Sequence, residues 1–264
     1  MFIVLFLRLN MLKITFLGTG TSQGVPVIAC DCMVCFSEDT RDNRLRSSIL
    51  IQTETTSIVI DTGPDFRQQM LREKVDRLDA VVFTHEHKDH VAGMDDVRAF
   101  NYKQRKDMDV YATNRVQQAL KREYPYVFTD LKYPGVPQVK LHTIDAENLI
   151  QIGDITLQPI EVMHYKLSVL GFRINDFVYI TDANFISHKE KEKIKGCRTL
   201  VINALRKKEH ISHFTLKEAI SLSQEVGAIQ TYLTHISHLM GSHKSVSEEL
   251  PEGVQIAYDG LVLT

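Results

Sequence analysis

The chain has 264 residues, 44% of them apolar, with a formal net charge of −2. That length and apolar content support a sizeable core and exclude a disordered chain. A near-neutral balance excludes a globally basic nucleic-acid binder or a polybasic membrane-surface protein, so any anionic ligand must be drawn by a local field.

The first run, Met1-Phe2-Ile3-Val4-Leu5-Phe6-Leu7, is too short to span a bilayer, has no basic residue before it and meets Arg8 at once. Residues 1–11 therefore read as a start-site extension and 12–264 as one domain, undivided by linker, repeat or low-complexity tract. Strand-like runs follow in Ile14-Thr15-Phe16-Leu17, Ser48-Ile49-Leu50-Ile51, Ser57-Ile58-Val59-Ile60 and Ala80-Val81-Val82-Phe83. Helical patterns occupy 64–73 and 114–122. Leu170–Ile174 and Phe177–Ile180, separated by Asn175-Asp176, predict a hairpin with a two-residue turn. Further strands are expected at Leu200-Val201-Ile202 and Thr231-Tyr232-Leu233, flanking a helix at 215–225 whose Thr215 and Glu218 are spaced as a capping box. Two mixed sheets stacked face to face, with helices on the outer faces and ligands on loops at strand ends, would bury these runs.

Residues Thr84-His85-Glu86-His87-Lys88-Asp89-His90 carry the chemistry, directly after the apolar run Asp79–Phe83. On an extended segment His85 and His87 leave the same side and converge on one ion. Asp89 and His90 follow as the chain turns, offering a carboxylate and a third imidazole to a second nearby point. Such nitrogen and oxygen donors suit Zn²⁺, Mn²⁺ or Fe²⁺. Three of the four cysteines, Cys30, Cys32 and Cys35, lie within six residues. Thiols that close are poor disulfide partners and good metal ligands, which fits a reducing cytoplasm.

His85-Glu86-His87-Lys88-Asp89-His90 resembles the signature of the metallo-β-lactamase-fold hydrolases, and four further segments match that family in order: Ile60-Asp61-Thr62-Gly63, Val162-Met163-His164, Tyr179-Ile180-Thr181-Asp182 and Leu233-Thr234-His235. The resemblance implies an α/β fold, an αββα sandwich. It implies two divalent ions, manganese or zinc: His85, His87 and His164 on the first, Asp89, His90 and His235 on the second, and Asp182 bridging. Asp61 would orient ligands from behind. Formal charge addition over two ions, two carboxylates and a bridging hydroxide leaves about +1, which suits a phosphodiester anion.

Phe16-Leu17-Gly18-Thr19-Gly20-Thr21-Ser22-Gln23-Gly24-Val25-Pro26 and the Cys-x-Cys-x-x-Cys after it are similar to the cyclic phosphodiesterases of the bacterial carbon–phosphorus lyase pathway. A tetrahedral zinc held by Cys30, Cys32 and Cys35 needs a fourth ligand. His238, three residues past His235, is the candidate and Cys197 the alternative. His213 matches the position of a histidine that binds no metal but stands near substrate, with His210 competing for the role. His213 and Asp89 are thus the expected catalytic groups. Arg41, Arg44 and Arg46 could read an anionic group.

The expected reaction is hydrolysis of a small phosphodiester, cyclic diesters included, by hydroxide attack at phosphorus. The expected partners are that substrate and a second copy of the chain, with no membrane and no nucleic acid. Rivals within the fold are a tRNA 3′-processing ribonuclease, a thioesterase and a lactamase or lactonase. From another class comes a non-catalytic zinc protein used for docking or redox sensing.

Overall fold

A computed structural model describes residues 12–130 and 134–264; the expected extension, 1–11, lies outside the described residues. Two mixed seven-stranded sheets make up the centre. The first contains β1 (Lys13–Gly18), β2 (Ser48–Gln52), β3 (Ser57–Ile60), β4 (Ala80–Val82), β5 (Met108–Ala112), β6 (Val139–Thr143) and, beside β1, the short β14 (Val262–Leu263). The second runs in chain order through β7 (Ile150–Ile152), β8 (Ile155–His164), β9 (Leu167–Ile174), β10 (Phe177–Ile180), β11 (Thr199–Asn203), β12 (Gln230–Thr234) and β13 (Val254–Ile256).

Strand alternation sorts the apolar residues into three cores. Ile49, Ile51, Ile58, Ile60, Ala80 and Val82 point between the sheets, where they meet Leu157, Phe172, Tyr179 and Val201. Their neighbours Leu50, Val59 and Val81 point the other way, onto α1 (Phe66–Arg72), α3 (Arg98–Gln104) and α4 (Asn114–Glu123). Val178, Ile180, Leu200 and Ile202 likewise face α5 (His188–Ile194) and α6 (Leu216–Val226). Strands buried on both faces read as near-continuous apolar runs, which is why these were visible in the sequence. The expected αββα sandwich is the fold observed. No helix among the described residues is long and apolar enough to cross a membrane.

The hairpin joining β9 and β10 turns at Asn175-Asp176 as expected, with Asn175 at φ 52°. The capping box of α6 is present on both sides: the Thr215 hydroxyl accepts from Glu218 N–H, and the Glu218 carboxylate accepts from Thr215 N–H at 2.8 Å. β3 and β4 run parallel, as do β10, β11 and β12, so their carboxyl ends share one rim. Asp61, His85, His164, Asp182 and His235 sit on that rim, each at or within three residues of its strand's last residue.

Candidate metal centre

Three rim residues leave their strands with a left-handed backbone: Asp61 at φ 65°, Asp182 at 54° and His235 at 56°. That conformation reverses the strand abruptly and aims the side chain back over the sheet edge, at a cost non-glycine residues bear where the surroundings impose it. His85 and His87 project from the segment between β4 and the short helix α2 (Lys88–Val91), their rings 4.6 Å apart. His90, on α2, lies 4.2 Å from His85. Asp89, the helix residue before it, faces the same point.

Hydrogen bonds fix how the imidazoles face. Asp61, fully buried, accepts from Thr84 N–H at 2.9 Å, from the Thr84 hydroxyl at 2.8 Å, and from His90 Nδ1 at 2.7 Å. The Thr84 hydroxyl proton being committed to Asp61, its oxygen accepts from His85 Nδ1 at 3.0 Å. His164 Nδ1 donates to the Ser212 carbonyl at 2.8 Å, and His235 Nδ1 lies 3.2 Å from the Ser47 hydroxyl, itself a donor to the Gly20 carbonyl. All four thereby turn Nε2 toward one centre, the tautomer following from the network.

Donor atoms gather there in groups lying within 4.8 Å of one another: His85, His87 and His164; Asp89, Asp182 and His235; and His85, His90 and Asp182. Asp182 belongs to groups on both sides, with Oδ2 3.2 Å from His90 Nε2 and Oδ1 3.3 Å from His235 Nε2. His85 Nε2 and His90 Nε2 are buried without any hydrogen-bond partner. Orphaned buried nitrogens facing carboxylates are the arrangement divalent cations fit. Electrostatics agree. Burial opposes charge on His90, yet Asp182, Asp89 and Asp61 raise its pKa well above the ordinary value. Burial and the His90 charge hold His85 neutral. Three carboxylates thus bear on one buried point, where a cation would offset them.

His213 is 8% exposed and stacks on His235 with centroids 4.9 Å apart, its unpartnered Nδ1 3.8 Å from Asp182. Burial first, then His235, lowers its pKa to about 3. His210 stands one ring further out, 5.1 Å from His213, so the structure sets His213 against the cluster and His210 behind it.

Cys30, Cys32 and Cys35 surround His238, their Sγ atoms 3.2, 3.4 and 3.6 Å from its Nδ1. These four donors fit a closed tetrahedral site. Cys197 is fully buried in the core beneath α5 and joins no such group. The three arginines that could read an anionic group each have a partner within the protein. Arg41 is paired with Asp39 at 2.7 Å and Arg46 with Asp65 at 2.9 Å, while Arg44 is 3% exposed and donates to Thr19 and the Ala257 carbonyl. Thr84, Ser47 and Ser212, which aim the ligands, carried no sequence signal beyond Thr84's adjacency to the histidines. Ser47 and His235 are 188 positions apart.

Residues 56–236 match the family described as "Beta-lactamase superfamily domain". The chain belongs to that superfamily. Its fold and donor set make this a metal-dependent hydrolase domain. A solved structure described as a new diphosphatase from the PhnP family is 38% identical, with TM-score 0.89 and 96% of each chain covered. An octanoyltransferase of Porphyromonas gingivalis is 42% identical over 247 residues, 93% of this chain and 50% of that protein. The exodeoxyribonuclease WalJ of Streptococcus pneumoniae is 28% identical over 168 residues, 60% of this chain and 58% of that one. The chain thus spans about half the length of these curated relatives.

Proposed function

We propose that this domain hydrolyses a small phosphodiester, cyclic diesters included, with two divalent ions held by His85, His87, His164, Asp89, His90, His235 and Asp182. A zinc ion at Cys30, Cys32, Cys35 and His238 would pin the loop before β2 to the segment carrying His235. The observation that carries this reading is the buried, unpartnered Nε2 pair of His85 and His90 facing Asp182, which is itself reached by donors from both sheets. Divalent ions bound there would supply Lewis-acid stabilisation of a phosphoryl group and lower the pKa of water toward neutrality.

The chain's own groups do the rest. Asp61, Ser47 and the Ser212 carbonyl keep the imidazoles from turning. Asp89 has 12% of its side chain exposed against 3% for Asp182, and is the carboxylate open to take a proton from the attacking water. His213, neutral at pH 7, faces the same centre and donates a hydrogen bond to a phosphoryl or leaving-group oxygen. Two of the relatives, the diphosphatase and the exodeoxyribonuclease, carry names that denote cleavage at phosphorus. Three thiols without disulfides suit a reducing cytoplasm.

A second reading, hydrolysis of an octanoyl thioester, is favoured by the 42% identity to a protein named an octanoyltransferase. That name belongs to a protein of which this chain covers half. The two readings separate in one assay. Protein loaded with Mn²⁺ or Zn²⁺ is expected to hydrolyse bis-p-nitrophenyl phosphate and to leave an octanoyl thioester intact, and His87→Ala is expected to reduce turnover to background while the fold persists. Full activity in His87→Ala, or thioester cleavage alone, contradicts the proposal.

A further inference from the structure

A cavity of about 460 Å³ opens beside the cluster, lined by His87, Arg115, His164, Tyr165, Ile211 and Ser212, with Lys166 at its edge. That volume falls within the small-molecule range. Two of its walls hold large apolar side chains in water: Tyr165 is 50% exposed and Ile211 65%. Neither position is idle. Tyr165 has φ 58°, a left-handed backbone that a tyrosine adopts only under constraint.

The constraint is Asn184, two residues past Asp182. Its Oδ1 accepts from Tyr165 N–H at 2.7 Å, and its Nδ2 donates to the Ile211 carbonyl at 3.1 Å. Its own N–H donates to the Met163 carbonyl at 2.8 Å. One side chain therefore braces both rims. Each rim is also tied to the cluster, since Tyr165 follows His164 and Ile211 precedes Ser212, whose carbonyl orients His164.

Charge decides what such a slot receives. Lys166 Nζ lies 5.3 Å from the Tyr165 ring centroid. Arg115 is held at the same mouth by a hydrogen bond from its Nε to Glu86, a residue of the histidine motif that faces no metal group. An aliphatic chain laid on Tyr165 would desolvate the Lys166 ammonium without compensation. A flat polar ring with an attached anion meets the platform and the charges together.

We infer that this cavity takes the base of a nucleotide, stacked on Tyr165 and flanked by Ile211, with its phosphate directed toward His87 and His164. The inference rests on the phosphodiester reading and narrows it to nucleoside phosphates over sugar phosphates that lack a base.

Adenosine 5′-monophosphate and ribose 5-phosphate differ only in the base, and titration calorimetry on the zinc-loaded protein reads their affinities without turnover. The nucleotide is expected to bind at least about tenfold more tightly, as base-on-aromatic stacking commonly gives. Tyr165→Ala should bring the two ligands within about twofold, and Tyr165→Phe, which keeps the ring, should preserve the gap. Equal binding by the unaltered protein, a gap that survives Tyr165→Ala, or no binding of either ligand overturns the inference. Failure to hydrolyse any phosphodiester would overturn the proposed reaction instead and leave the affinity difference standing.

Discussion

Thr84 has one hydroxyl proton and gives it to Asp61, so the only bond left to His85 Nδ1 runs toward Thr84, and His85 Nε2 must face the cluster. Asp61 performs this service twice, since it also accepts from His90 Nδ1. Asp61→Asn keeps the shape but loses one acceptor oxygen, leaving either Thr84 or His90 without its partner. Loss of such an outer partner typically lowers metal affinity by about 10–100-fold. Competition with a chromophoric chelator should show that drop for the variant, and affinity within twofold of the parent would remove Asp61 from this role. The histidines themselves were legible because their spacing is rare. Thr84, Ser47, Ser212 and Asn184 were not, because a hydroxyl, a carbonyl or an amide acquires its role only when folding brings it to a ring far along the chain.

Between elements, a tight fit joins the loop after β3 to the turn after α2. Thr62 N–H donates to the His90 carbonyl and Gly93 N–H to the Thr62 carbonyl, each at 2.8 Å. A Cβ on Gly63 would lie 2.2 Å from the Asp89 carbonyl oxygen, and one on Gly93 would lie 2.2 Å from that of Gly63. Gly63→Ala must therefore push α2, with Asp89 and His90, off Asp61. Overpacking of this kind costs about 1–3 kcal/mol. Chemical denaturation should show at least that loss together with weaker metal binding, and unchanged stability would contradict the close approach. Legibility at this scale followed the apolar runs. β1 to β4 and β10 to β12 announced themselves, whereas β8, which carries His164, did not: Pro159 interrupts it. The structure accommodates the proline because β7 covers β8 only as far as Leu157, leaving Pro159 at the sheet edge, where the missing N–H costs nothing. Five of the seven residues of α5 are Lys or Glu, and only Ile194 is apolar, so no helical stripe marked it.

Over the whole molecule, a net charge of −2 conceals a strongly local imbalance, three carboxylates gathered around one buried point where the rims of two sheets meet. Neither sheet builds the site alone. The first brings Asp61, His85, His87, Asp89 and His90, and the second brings His164, Asp182 and His235, so cations at this point would also clamp the sandwich at one end. Diffraction data collected above the zinc or manganese absorption edge from metal-loaded crystals test this most directly. The account predicts three anomalous peaks per chain, two within the His/Asp cluster on either side of Asp182 and one among Cys30, Cys32, Cys35 and His238. A cluster without anomalous density, or a single peak confined to the thiolates, would contradict it.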